Sequence, residues 1–199
     1  MTLRDQERKT SVVRFTKVIA NILLAPFFRI KTSGIDNLPT QSAFILLPKH
    51  QRWEDIPLLS LATPRPLYYM AKYELFVNPI AGWLLSSMGG IPLNRRRPME
   101  SRMSLQRMIE YLRKGEGIVI FPEGTYFKNK VGPGRVGLIR MILSRYTFPF
   151  VPVGISYSRK KGRTLAQMNF GEPVYSSPSA KADDLLREIM TEIAQLSGL

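Results

Sequence analysis

The stretch 43-AFILLPKHQRWEDIPLLSL-61 joins a short apolar run to a polar loop and the start of a helix. The run 43–47 has the length of a strand and is typical of one that is buried on both faces. Asp55, followed by Ile and Pro, has the pattern of an N-cap with proline in the first turn, so we predict a helix from there to Leu61. A buried strand followed at once by a helix indicates an α/β domain.

The rest of the chain continues this alternation over 199 residues, without an internal repeat or a Pro/Gly/Ser-rich linker. Further strands are predicted at 66–71, 117–121, 150–157 and 165–170, and further helices at 79–88, 105–112, 135–145 and 185–193. The predicted fold class is therefore a single α/β domain with a mixed, largely parallel sheet flanked by helices. In such sheets, functional residues gather at the strand ends.

The composition excludes several kinds of site. The chain has no cysteine, which excludes disulfides, thiolate metal sites and cysteine nucleophiles. It has one histidine, whereas a histidine-based zinc site usually needs two or three imidazoles or thiolates. We therefore predict no metal site.

The charge is strongly positive and unevenly placed. The chain has 29 Lys and Arg against 15 Asp and Glu, a formal net charge of +14, and residues 125–163 contain no acid. Such a field attracts phosphates, anionic membranes, nucleic acid or acidic carrier proteins, and the charge alone does not choose among them. The sequence contains no recognisable nucleic-acid-binding motif, so nucleic acid is not a predicted partner.

The N-terminal segment has an apolar stretch, 18–28, that is too short for the roughly 20 residues needed to span a bilayer. Basic residues flank it on both sides, and an amphipathic segment with basic flanks suits the membrane interface. A helix packed on the protein's own core is the alternative. We predict that residues 1–32 form a membrane-interfacial helical segment and that residues 33–199 form the α/β domain.

Three motifs carry side chains suited to chemistry. His50 lies in a predicted strand-to-helix loop, and Asp55 could orient its imidazole as a general base; a surface histidine beside a capping aspartate is the alternative. In 89-GGIPLNR-95, Arg95 either binds phosphate or is a solvated arginine. In 121-FPEGT-125, Glu123 either accepts a substrate hydroxyl or belongs to a simple exit turn.

These motifs occur in one order along the chain: HxxxxD at 50–55, GxIPxxR at 89–95, FPEGT at 121–125 and VPV at 151–153. Together they resemble the glycerolipid acyltransferase family, whose best-known members acylate lysophosphatidic acid. The segments 71-AKYELFVNPIAGWLLSSMGGIPLNR-95 and 35-IDNLP-39 are similar to that family as well, so the resemblance covers roughly residues 30–155.

The resemblance implies a membrane-associated O-acyltransferase of phospholipid synthesis, acting at the cytoplasmic face. It would move an acyl group from acyl-CoA or acyl carrier protein to the hydroxyl of 1-acylglycerol-3-phosphate, with no cofactor. His50 would be the general base and Asp55 would orient it. The resemblance further implies substrate-binding residues at Lys72, Arg95, Glu123, Gly124 and Thr125, and an acyl-chain pocket at Val151, Pro152 and Val153. The implied partners are a lyso-lipid acceptor, the acyl donor and an anionic membrane surface.

Several positions depart from the family pattern, and Arg52 and Glu54 make the loop between His50 and Asp55 more charged than usual. The third motif normally continues FPEGTR, but Tyr126 replaces that arginine, which in the family helps with the acceptor phosphate. The first motif usually has Asn before the histidine, where this chain has Lys49. The same chemistry on another acceptor, such as a lysophospholipid, a glycolipid or an amino-acid lipid, therefore stays open. A non-catalytic basic protein that binds membranes or nucleic acid is a more distant alternative.

Overall fold

The fold is an α/β sandwich built on one seven-stranded sheet, seen in a computed structural model that describes residues 10–94, 96–144, 146–160, 162–175 and 181–199. The strands are β1 Phe28–Ser33, β2 Phe44–Pro48, β3 Leu67–Lys72, β4 Gly90–Leu93, β5 Gly117–Val119, β6 Phe150–Lys160 and β7 Arg163–Phe170. The helices are α1 Thr10–Leu24, α2 Asp55–Ala62, α3 Pro79–Ser87, α4 Pro98–Arg113, α5 Val136–Leu143 and α6 Ala182–Ser197.

The sheet has the order β1-β7-β6-β2-β5-β3-β4. Every neighbouring pair is parallel except β6 and β7, which form an antiparallel hairpin. The prediction of a mixed, largely parallel sheet flanked by helices is therefore confirmed. The central strand β2 is buried along its whole length, as expected of a parallel strand that is covered on both faces.

Two apolar clusters fill the space on the two faces of the sheet. One face packs against α4, α5 and α6, with Ile45, Leu47 and Ile118 of the sheet at its centre. The other face packs against α2, with Phe44 and Leu46 pointing towards it. Helix α6 lies so close to β6 that a Cβ atom at Gly154 would be 2.2 Å from the Leu196 carbonyl carbon. Alternate residues of β2 thus face opposite clusters, which holds the carboxyl end of the strand firmly between the two layers.

The N-terminal segment differs from the prediction in one respect. We expected helical structure up to residue 32, but α1 ends at Leu24, and Phe28–Ser33 form the edge strand β1. These six residues alternate between half-buried and exposed, which is the two-residue period of a strand. Within the described residues, no helix combines the length and apolar character needed to cross a membrane.

Candidate active site

The sheet order brings three of the predicted site residues to one edge. Strands β2, β5 and β3 are parallel neighbours, so their carboxyl ends lie side by side. His50 follows β2, Glu123 follows β5, and Lys72 is the last residue of β3. Motifs that are far apart along the chain therefore meet at the carboxyl edge of the sheet, where ligands bind in folds of this kind.

His50 and Asp55 are in direct contact at this edge. The imidazole Nδ1 lies 3.0 Å from Asp55 Oδ2, and the Asp55 side chain is completely buried. Because a carboxylate can only accept, Nδ1 carries the proton in this contact. The other nitrogen, Nε2, is then the one that can take a proton from a substrate.

The Asp55 carboxylate is held from several sides. Its Oδ2 also accepts the backbone N–H groups of Gln51, at 2.6 Å, and Arg52, at 2.8 Å. Its Oδ1 accepts the hydroxyl of Tyr157 at 2.5 Å. We expected Asp55 to be the N-cap of α2, but it is the first residue of the helix, and the N-cap is Glu54. The carboxylate turns back into the loop, where these donors stabilise its charge and fix its orientation towards His50.

Tyr157 is a residue of the site that the motifs did not reveal. It lies near the end of β6, and the Arg52 guanidinium stacks 3.9 Å from the centre of its ring. Burial, and then the neighbouring Asp55 carboxylate, raises the pKa of Tyr157 above its ordinary value of 10.0. The phenol therefore stays protonated and donates to Asp55. Its distance of 102 residues from Asp55 along the chain left no local signal for this contact.

Two aromatic rings pack against the imidazole of His50. Phe121 stacks on it with ring centroids 3.8 Å apart, and the tilted ring of Tyr126 lies at 4.4 Å. Tyr126 is 52% exposed, whereas His50 is only 7% exposed. Tyr126, which occupies the position of the family arginine, thus forms the solvent-facing wall beside the imidazole.

Glu123 is enclosed and paired with Lys49. The Lys49 ammonium lies 3.0 and 2.9 Å from the two Glu123 oxygens, and both side chains are completely buried. The same carboxylate accepts the backbone N–H of His50 at 2.9 Å and that of Gly132 at 2.6 Å. We expected Glu123 to face an acceptor hydroxyl, whereas its carboxylate is turned inwards onto donors of the protein itself.

The remaining residues of the third motif form its turn. Gly124 has a φ of 67°, a left-handed conformation that glycine adopts without strain, and its N–H donates to the Phe121 carbonyl at 3.1 Å. This N–H is thus used within the turn. Thr125 is exposed beside it.

Two of the predicted substrate-binding residues, Lys72 and Arg95, are basic. Lys72 is exposed at the carboxyl end of β3, two strands from β2 and therefore about 10 Å away across the sheet. Arg95 lies outside the described residues.

An apolar cavity of about 340 Å³ adjoins the site on the α4 and α5 face of the sheet. Its lining includes Leu105, Ile120, Phe121 and Leu138, so Phe121 separates the cavity from the His50 imidazole that stacks on it. The predicted acyl-pocket residues Val151, Pro152 and Val153 are not in this lining. They are buried in β6, and the two valines face the opposite cluster.

Large apolar side chains are exposed around the same edge of the sheet. The end of α1, the loop after β2, the segment after β3 and the first turns of α4 all contribute, with Ile22, Leu23, Phe27, Trp53, Leu75, Val77, Ile80, Met99 and Met103. Exposed cations stand among them, including Lys72, Arg96, Arg97, Lys128 and Lys130. Apolar residues interspersed with cations are typical of a surface that contacts a membrane or a partner.

Comparison with known proteins gives a consistent result. The family model described as Acyltransferase matches residues 29–156. The chain is 32% identical to a chloroplastic 1-acyl-sn-glycerol-3-phosphate acyltransferase of Brassica napus over 209 residues, covering 99% of this chain and 59% of that protein. It is also 32% identical to the 1-acyl-sn-glycerol-3-phosphate acyltransferase of Bacillus subtilis, with 76% of each chain covered.

Two further comparisons bear on acceptor and fold. A lyso-ornithine lipid O-acyltransferase of Pseudomonas aeruginosa is 31% identical over 171 residues, covering 86% of this chain and 60% of that protein. The crystal structure of a 1-acyl-sn-glycerophosphate acyltransferase from Thermotoga maritima superposes with a TM-score of 0.71, at 24% identity, over 94% of this chain and 77% of that one. This structural similarity confirms the fold. The chain spans 53–63% of the length of the Brassica, Arabidopsis and Streptococcus relatives that it matches.

Proposed function

Because this chain belongs to the acyltransferase family, we propose that it transfers an acyl group from a thioester to the free hydroxyl of 1-acylglycerol-3-phosphate, in the synthesis of phospholipids. The observation that carries the proposal is the contact between His50 Nδ1 and the buried Asp55 carboxylate at the carboxyl edge of the sheet. That contact leaves Nε2 to act on a hydroxyl.

The reaction needs one base and no covalent enzyme intermediate. His50 Nε2 takes the proton of the acceptor hydroxyl while the hydroxyl oxygen bonds to the carbonyl carbon of the thioester. The carbon–sulfur bond then breaks, the thiolate leaves, and the imidazolium returns the proton to sulfur. Asp55 stabilises the imidazolium and holds the ring, and positioned base catalysis of this kind contributes about 10²–10⁴-fold.

The acyl donor is an acyl-CoA or an acylated carrier protein. The apolar cavity beside Phe121 is the place that we propose for its acyl chain, because apolar walls replace water around methylene groups. The positive charge at the sheet edge attracts CoA and a carrier protein alike, since both are acidic, so it does not choose between these two donors.

A second acceptor class is favoured by one observation. Tyr126 places an aromatic ring beside His50 where the family pattern has an arginine for the acceptor phosphate. A lyso-lipid with an amino-acid head group would not need that cation, and the chain is similar to a lyso-ornithine lipid O-acyltransferase. For a phosphate-bearing acceptor, the exposed Lys72 is the described cation that follows the family pattern.

The exposed apolar residues give the enzyme an orientation on the membrane. We propose that the carboxyl edge of the sheet, together with α1, lies on the cytoplasmic face of an anionic bilayer. A lyso-lipid could then reach His50 without passing through water, and the surrounding cations would bind lipid phosphates.

The test is an assay of acyl transfer by the purified chain, in which the thiol released from acyl-CoA or from acylated carrier protein is measured. We expect His50→Ala to lower turnover by about 10²-fold or more, with Thr191→Ala on the outer face of α6 as the matched control. Wild-type turnover by His50→Ala would show that His50 is not the general base. Transfer to lyso-ornithine lipid but not to lysophosphatidic acid would select the second acceptor class, and transfer to no lyso-lipid would refute the function.

A further inference from the structure

We propose that the buried Lys49–Glu123 pair is a positioning device that holds His50 in place, and that Glu123 serves catalysis through this pair and not by contacting the acceptor. The inference rests on the proposed function, since it concerns how the proposed base is held. It assigns a role to Lys49, one of the departures from the family pattern.

The Glu123 carboxylate is already fully hydrogen-bonded within the protein. Its carboxylate accepts from the Lys49 ammonium through both oxygens and from two backbone N–H groups. The residue is 1% exposed, so an acceptor hydroxyl has no path to either oxygen. A carboxylate in this state is saturated with donors and closed to ligands.

The Lys49–Glu123 pair holds the backbone of His50 on both sides. Glu123 Oε2 accepts the His50 backbone N–H at 2.9 Å, and the Lys49 ammonium donates to the His50 carbonyl at 3.1 Å. The Lys49 ammonium also donates to the Phe127 carbonyl at 2.7 Å. The Phe127 N–H in turn donates to the His50 carbonyl at 2.9 Å. The backbone of His50 is thus tied on both sides to the loop that follows β5.

Lys49 supplies the positive charge that the buried Glu123 carboxylate requires. A buried carboxylate needs a compensating charge, because an unpaired charge in the interior is very costly. Lys49 reaches Glu123 from the end of β2, and both side chains are completely buried. Tyr126 makes no such pair and packs against the His50 imidazole.

The two explanations of Glu123 predict different kinetics. If Glu123 bound the acceptor, Glu123→Gln would raise the acceptor KM and Lys49→Met would have little effect. If the pair positions the base, each single variant leaves one buried charge unpaired and displaces His50. We then expect each to lower kcat by about tenfold or more, a part of the contribution of a positioned base, with the acceptor KM unchanged within about threefold.

The decisive variant is the double one, Lys49→Met with Glu123→Gln, because it removes both charges at nearly constant volume. Replacing a buried ion pair by neutral residues is often tolerated, whereas breaking it from one side is not. We expect the double variant to regain at least part of the kcat and of the melting temperature that the single variants lose. The control is the exposed pair Arg140–Asp183, where Arg140→Met and Asp183→Asn should change neither kcat nor KM.

Three results would overturn the inference: wild-type kcat in both single variants, an acceptor KM raised about tenfold by Glu123→Gln alone with kcat kept, or losses in the double variant equal to the sum of the single losses. Should a single variant not fold, the double variant decides, because a double variant that folds shows the charge coupling directly. His50 is the only histidine, so its imidazole NMR signal reports ring position in every variant that folds. Should the wild type transfer no acyl group, the proposed function fails, whereas the coupling in melting temperature and NMR signal still tests the pair.

Discussion

Tyr157→Phe isolates the hydrogen bond that the Asp55 carboxylate accepts from a side chain outside its own loop. The phenylalanine keeps the ring, including its edge contact with Phe28 at 6.4 Å between centroids and the stacking of Arg52. It removes only the hydroxyl, which lies 2.5 Å from Asp55 Oδ1. The substitution therefore leaves one oxygen of a completely buried carboxylate without this donor.

The size of the effect follows from the kind of bond. A hydrogen bond to a charged group contributes about 1.5–3 kcal/mol to stability. For a chain of this length each kcal/mol corresponds to about 2–4 °C in melting temperature, so we expect a fall of about 3–12 °C. The other Asp55 oxygen keeps its contacts with His50 and two backbone N–H groups, so only part of the loss reaches the base. If about half of it does, kcat falls by about 4- to 13-fold.

The measurement is a thermal melt together with steady-state acyl transfer over a range of acceptor concentrations. The acceptor KM should stay constant, because Tyr157 donates to Asp55 and not to substrate. Tyr175→Phe, at a position that is 70% exposed, is the control and should change neither quantity. A Tyr157→Phe protein with the melting temperature and kcat of the wild type would refute the reasoning. A raised KM at constant kcat would instead place Tyr157 against the acceptor.

Three other outcomes are expected from the same structure. Burial and Asp55 raise the pKa of Tyr157. The stabilising contribution of the Tyr157 hydroxyl is therefore complete below about pH 10 and is lost as the pH rises above it. The wild type should lose more unfolding free energy above about pH 10 than Tyr157→Phe does, and equal losses in urea titrations would contradict this. Leu138→Trp, in the lining of the apolar cavity, should shift donor preference towards shorter acyl chains, and an unchanged chain-length profile would show that the acyl chain lies elsewhere. Ile22→Glu on the exposed face of α1 should weaken binding to anionic vesicles at unchanged melting temperature, whereas Thr191→Glu on α6 should not, and equal sedimentation of the two variants with vesicles would exclude α1 from the contact.

Much of the fold could be predicted because periodicity and burial agree along most of the chain. The run 43–47 became β2, and the apolar spacing at 105–112 lies within α4. Strand β1 was missed although residues 28–31 alternate between apolar and polar, since the apolar stretch before them suggested a continuing helix. The start of α4 at Pro98 was also missed, because its first turn is rich in polar residues and lacks the apolar period.

The candidate site could be predicted only where its residues belong to a local motif. The contact of His50 with Asp55 spans five residues, and the loop between them allows it. The contacts of Tyr157 with Asp55 and of Lys49 with Glu123 span 102 and 74 residues. They arise from the order of β6, β2 and β5 in the sheet, which no single motif specifies. Only the three-dimensional arrangement shows that Glu123 points inwards.

The same geometry separates the chemistry of the site from its specificity. Asp55 and Glu123, two acids of the sequence motifs, are buried, and both oxygens of each carboxylate already accept hydrogen bonds from the protein. In the function that we propose, these acids therefore hold His50 and do not contact the acceptor. Recognition of the acceptor must then come from exposed side chains around His50, of which Tyr126, Trp53 and Lys72 are the described candidates. Exposed positions tolerate substitution far better than saturated buried ones. Members of one family can therefore share acyl transfer and differ in acceptor, as the names of the lysophosphatidic acid and lyso-ornithine lipid relatives of this chain indicate.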